Sequence, residues 1–205
     1  MRQVLKWGFS ALRPALSMAK LYFRYAAMNA GKSTALLQVA HNYEERNQRV
    51  DLFTSVIDSR FGVGRIVSRL GVARDAEVYA DGDDFEQLYQ QRPLPACILI
   101  DEAQFLSDAQ VVQLHRLAHT RGAPVIAYGL RSDFRGEAFP GSRALLTLAD
   151  SLEELKTVCR CGRKATMNLR FDASGQRVIK GAQVEIGGED RYEGVCPRRF
   201  YTGSC

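Results

Sequence analysis

No stretch of this 205-residue chain approaches the roughly 18–20 consecutive apolar residues that a membrane-spanning helix requires, so the sequence predicts a soluble body without a membrane partner. A basic block is missing too. The net charge is +5, but the arginines are scattered from Arg2 to Arg199, which a small phosphate-bearing ligand explains as well as a nucleic acid would. Acids are absent from the first seventeen residues, MRQVLKWGFSALRPALS, which gives them a superficial likeness to a targeting peptide. Gly8, Arg13 and Pro14 break the apolar run, and no disulfide-rich chain follows, so a secretory signal is not expected. Met18 opens MAKLYF, a more natural beginning for a strand, and residues 1–17 are read as a disordered extension or a non-native start. Lacking a secretory mark, the five cysteines read as thiols or metal ligands, and the expected location is cytoplasmic. The remaining composition, 46% hydrophobic and 25% charged, is globular and long enough for one main domain and a small appendage.

Hydrophobic periodicity orders the chain. Leu21–Tyr25 reads as a strand, Met28–Gly31 as a loop, and Leu36, Val39, Ala40 and Tyr43 recur at helical spacing after Lys32. Val50–Thr54 reads as a second strand. The polar, glycine-punctuated stretch from Asp58 to Gly71 holds no period and is expected to be a mobile loop. A helix follows over 83–91, and then Ala96–Ile100 is a continuous apolar run that suits a strand covered on both faces, with Cys97 an inert core thiol. Ser107 and Gln110 make a capping-box pattern; Val111, Leu114 and Leu117 carry that helix towards His119, and Gly122 stops it. With Pro124–Tyr128 as a further strand, the alternation predicts an α/β fold: a P-loop, RecA-like parallel sheet flanked by helices over residues 18–150. Past Asp150 the runs become short, with turns such as Asp172–Gly175 and clustered cysteines, and a small β lobe is expected over 151–205.

The chemistry starts at Ala26-Ala27-Met28-Asn29-Ala30-Gly31-Lys32-Ser33, a Walker A loop in which only the first glycine is replaced. Lys32 is expected to reach the β- and γ-phosphates of ATP, and Ser33 to hold Mg²⁺. The strand that ends at Asp101-Glu102 supplies the acids such a loop needs: Asp101 as the metal-positioning carboxylate, and Glu102 as the group that takes a proton from a hydroxyl or a water. Ala103 and Gln104 complete the expected ATP-binding set. Cys159, Cys161 and Cys196 read as ligands of a structural zinc, because a lobe with so few large apolar residues cannot close a core unaided.

From Lys20 to Tyr201 the chain resembles the zinc-bearing bacterial and cellular thymidine kinases. The resemblance rests on Met28–Thr34, Asp58-Ser59-Arg60, Asp101–Phe105, Tyr128–Phe134, Glu154–Lys156, Cys159–Gly162 and Ile186–Tyr192, in that order. It implies ATP-dependent phosphorylation of the thymidine 5′-hydroxyl, Glu102 as general base, and Asp58 and Arg60 near the phosphates and metal. It further implies a base pocket of Met28, Phe105, Leu130, Phe134, Phe139 and Tyr192, covered by Ile186, Gly187 and Gly188, and a homotetramer. Its last zinc ligand, a Cys or His three positions after Cys196, is Arg199 here; Cys205, a water, or a weakened site are the alternatives. Two other functions compete: an ATPase acting on nucleic acid, in which Glu102 activates water, and a purely structural zinc protein.

Overall fold

The computed structural model describes residues 19–58, 62–184 and 191–205. In chain order its main body contains β1 (Leu21–Ala26), α1 (Lys32–Glu44), β2 (Val50–Ser55), β3 (Arg65–Val67), β4 (Ala73–Asp75), β5 (Glu77–Tyr79), α2 (Phe85–Gln91), β6 (Cys97–Ile100), α3 (Asp108–Arg116), β7 (Val125–Leu130), α4 (Pro140–Leu148) and β8 (Ser151–Glu154). Six of these strands form one parallel sheet in the order β5-β2-β6-β7-β1-β8.

Period-2 alternation divides the core. On β6 and β7, Ile98, Ile100, Val125 and Ala127 face α2, α3 and α4 through Phe85, Tyr89, Val111, Leu114 and Leu145. Cys97, Leu99, Ile126 and Tyr128 point the other way, against Leu36, Leu37 and Ala40 of α1. Both strands are buried on both sides, which is why they read as unbroken apolar runs. Ser107 caps α3 in the expected capping box with Gln110. After Arg116 the helix widens into a π turn, Leu117–Arg121, that Gly122 ends in the left-handed conformation at φ 74°.

Two expectations are corrected. The segment expected to be a mobile loop is not simply one, because among its described residues β3 pairs antiparallel with β4 and buries Ile66 beside α1. Three-residue strands with one buried side chain are too short to show a period. Nor does the sheet stop at residue 150, since β8 pairs in parallel with β1 from Ser151 to Glu154. As an edge strand with its central residues exposed, β8 carries no apolar run to announce it.

The small lobe consists of the hairpin β9 (Thr157–Val158) and β10 (Lys164–Ala165), a three-stranded sheet of β11 (Met167–Phe171), β12 (Arg177–Val178) and β13 (Tyr192–Val195) in the order β12-β11-β13, and α5 (Pro197–Thr202). Among the described residues its buried core is Cys159, Ala165, Leu169, Val195, Cys196 and Phe200. Cores of this size depend on a staple. The lobe docks on the main body: buried Asn168 accepts a hydrogen bond from the Met28 N–H at 2.8 Å and donates to the Ser132 carbonyl at 2.8 Å.

Candidate nucleotide and phosphoryl-transfer site

The phosphate loop leaves the C-terminal end of β1, the edge of a parallel sheet where ligands bind. Ala26 still belongs to the strand, paired with Leu130 and buried, so it does not need the conformational freedom of the glycine it replaces. The left-handed residues come later, at Asn29 (φ 64°) and Gly31 (φ 78°), where the chain turns into α1. No side chain caps α1 and no acid lies in its first turn, so its leading N–H groups and positive dipole end remain available to an anion. Lys32 is buried under the loop with Nζ 3.5 Å from the Ala27 carbonyl.

Across the loop, Ser33 Oγ donates to Asp101 Oδ2 at 2.9 Å. Burial, and next the charge of Glu102, push the Asp101 carboxyl up to about 7, against the pull of Ser33 and Lys32. Its other oxygen, Oδ1, is buried with no hydrogen-bond partner among the described residues. An orphaned carboxylate oxygen beside a hydroxyl is the protein side of a Mg²⁺ site, so these residues fit the ion that kinase chemistry requires.

Glu102 has a left-handed backbone at φ 51°, a conformation that costs a non-glycine residue about 1–2 kcal/mol. Two buried side chains hold it there. The Tyr79 hydroxyl donates to the Glu102 carbonyl at 2.8 Å, and Gln104 Nε2 donates to its carboxylate at 2.5 Å. Gln104 Oε1 in turn accepts from the Leu130 N–H at 3.0 Å, and a Cβ on Gly129 would stand 2.9 Å from that oxygen. Burial, with the charges of Glu102 and Asp101, raises the Tyr79 phenol well above its ordinary range, so it stays a donor. Ala103 and Gln104, expected to bind ATP, are buried behind the carboxylate and do not line the cleft.

That cleft encloses about 560 Å³ between Met28–Ala35, Asp58, Asp101 and Glu102. Its far wall is Val67–Leu70, where β3 turns towards β4. Arg60, Ile186, Gly187 and Gly188 lie outside the described residues. Of the expected base pocket, Phe105 and Phe139 meet edge to face with centroids 5.8 Å apart. Ser142 Oγ, at the start of α4, donates to the Leu130 carbonyl at 2.6 Å. Phe134 is buried under the Arg170 guanidinium, 3.9 Å from its centroid. Tyr192 opens β13, and its carbonyl accepts from Asn29 Nδ2 at 3.4 Å, beside Met28. Tyr79 and Asn168 were not foreseen; a lone tyrosine in a three-residue strand and an asparagine within a β run carry no local signal.

In the small lobe the sulfurs of Cys159, Cys161, Cys196 and Cys205 all lie within 4.8 Å of one another. Cys159 and Cys205 are 3.8 Å apart, and Cys161 and Cys196 3.7 Å, close to the edge of a tetrahedron centred about 2.3 Å from each sulfur. Although burial opposes it, the N–H groups of Cys161 and Cys196 bring the Cys159 thiol down to about 6. The donor set therefore fits zinc. Its fourth member arrives through Gly203 (φ 77°), which ends α5 and turns the chain back. Arg199 instead bonds Glu193 at 2.5 Å and reaches Cys159 as a hydrogen-bond donor, a countercharge where the resemblance implied a ligand.

A family model described as thymidine kinase matches residues 19–201. Three similar proteins carry the name thymidine kinase. That of Chromobacterium violaceum is 58% identical over 184 residues, covering 90% of this chain and 99% of that protein. The Albidiferax ferrireducens protein is 56% identical over 187 residues, 91% of this chain and 94% of the other, and that of Idiomarina loihiensis 55% over 186 residues, 89% and 96%.

Proposed function

This chain belongs to the thymidine kinase family, and we propose how its own residues divide the transfer of the γ-phosphoryl group of ATP to the 5′-hydroxyl of thymidine. The backbone N–H groups from Asn29 to Ser33 and the ammonium of Lys32 hold the β- and γ-phosphates. Ser33 and Asp101 hold Mg²⁺, which when bound neutralises phosphate charge. Glu102 accepts the proton of the 5′-hydroxyl as its oxygen bonds to the γ-phosphorus; the bond from that phosphorus to the bridging oxygen breaks, and ADP leaves with its electron pair. Gln104 and Tyr79 are positioning residues that aim the carboxylate. Asp58 lines the same cleft, and Arg60 is assigned to it by resemblance.

The pyrimidine occupies the pocket of Met28, Phe105, Leu130, Phe134, Phe139 and Tyr192, with Ile186–Gly188 as its cover. Zinc on Cys159, Cys161, Cys196 and Cys205 holds the small lobe in register with the phosphate loop. A homotetramer in the cytoplasm, without nucleic acid, completes the reading, and sedimentation equilibrium tests its assembly. The observation that carries it is Glu102, held in a strained conformation beside the Ser33–Asp101 pair on one cleft.

Thymidine-dependent ADP release by wild type and Glu102→Gln tests the assignment. Stimulation by thymidine that Glu102→Gln abolishes is expected. ADP release at the same rate without thymidine would overturn the substrate and leave a motor-like ATPase.

A further inference from the structure

A second cluster of ligating side chains lies at the opposite edge of the sheet and takes no part in the chemistry above. His115 sits in the last turn of α3, His119 one turn later in the π segment, and Asp150 immediately before β8. Their donor atoms all lie within 4.8 Å of one another. His119 Nε2 is 3.0 Å from both oxygens of Asp150, and His115 Nε2 points at the same carboxylate from 4.0 Å, too far for a hydrogen bond. The two imidazole centroids are 4.5 Å apart. Asp150 Oδ2 also accepts from the Leu21 N–H at 2.8 Å, an outer bond that fixes the carboxylate.

An ion pair that merely closes the sheet edge needs one histidine; two aimed at a single carboxylate are more than it uses. The adjacent cations are engaged elsewhere, Arg116 with Glu86 and Arg121 with the Tyr89 carbonyl. All three ligands are partly exposed, which provides an entry path.

We propose that His115, His119 and Asp150 bind a borderline divalent transition-metal ion, Zn²⁺ in the first instance, at a site separate from the cysteine cluster. Two imidazoles four residues apart on a helix, completed by a carboxylate, make the donor set of zinc sites that keep an open fourth position. Magnesium and calcium, which require oxygen ligands, are excluded by the same set. The site lies at the N-terminal ends of β1 and β8. The phosphate loop leaves the other end of six-residue β1, roughly 17–20 Å away. A bound ion ties the end of α3 to the sheet edge and so stabilises the fold by mass action.

The test is calorimetric titration of Zn²⁺ into the full chain already holding one equivalent of zinc, with zinc per chain checked by elemental analysis. Wild type is expected to take up a second equivalent and to gain thermal stability on doing so. His115→Ala and His119→Ala should each weaken that uptake by at least about tenfold, and the double variant should abolish it. His41→Ala should retain it. No second equivalent in wild type, uptake that survives in the double variant, or uptake lost with His41 would each overturn the site. Because the readout is metal binding, its failure leaves the kinase assignment untouched.

Discussion

Gln104→Met separates a catalytic support from a structural one, because methionine nearly conserves the buried volume while removing both hydrogen bonds. The bond to the Glu102 carboxylate, at 2.5 Å, is charge-assisted, a class worth roughly 1.5–3 kcal/mol. That matches or exceeds the 1–2 kcal/mol or so of left-handed strain that Glu102 carries. Without it the Tyr79 hydroxyl and the Phe105 N–H still hold the Glu102 carbonyl but the carboxylate loses this anchor, and at about 1.36 kcal/mol per decade the competent population falls roughly 10- to 150-fold. A steady-state assay with thymidine and ATP should show kcat lower by about that factor. KM for ATP should move by less than about threefold, since the phosphate loop and Ser33 are untouched. The buried Leu130 N–H also loses its acceptor, at about 1–3 kcal/mol, so Tm should drop by roughly 2–12 °C. A variant with lowered Tm but wild-type kcat would refute the positioning role and leave Gln104 as a prop for Leu130.

Asn168→Leu strips the Met28 N–H of its acceptor and the Ser132 carbonyl of its donor, so KM for ATP should rise about tenfold in initial-rate measurements. Gly141→Ala places a Cβ 2.6 Å from the carbonyls of Ala103 and Leu106, which are backbone and cannot move aside; a cost of about 1–3 kcal/mol should appear in thermal melts. Cys205→Ser should release zinc to a colorimetric chelator faster than wild type, and Arg199→Cys in the same chain should restore retention by returning a thiolate to the third position after Cys196. In the wild type, chelation should melt the small lobe before the parallel sheet, because the lobe's own core is small, six residues among those described.

The parts of this fold that read clearly in the sequence are those where one rule acted alone. Apolar runs such as Cys97–Ile100 follow from burial on both faces, and Ser107 with Gln110 names a helix start because both cap bonds form within four residues. The phosphate loop and the Asp101–Glu102 pair were legible for the same reason, each being a local motif. What stayed hidden depends on partners distant in the chain. Ile66 earns its burial from α1, β8 is defined by its pairing with β1, and Gln104 acts through Leu130, 26 residues away. Cys205 was one alternative among several until the turn at Gly203 placed its sulfur 3.8 Å from that of Cys159.

β13 passes so close to the phosphate loop that a Cβ on Gly194 would stand 2.8 Å from the Met28 carbonyl, while Asn168 grips the same residue's N–H from β11. Lobe and loop are therefore in direct contact, and any energetic coupling between them is reciprocal. If zinc in the lobe tightens the loop around ATP, then ATP in the loop must raise the lobe's affinity for zinc by the same factor. Nucleotide supply would then set how tightly each molecule holds its metal.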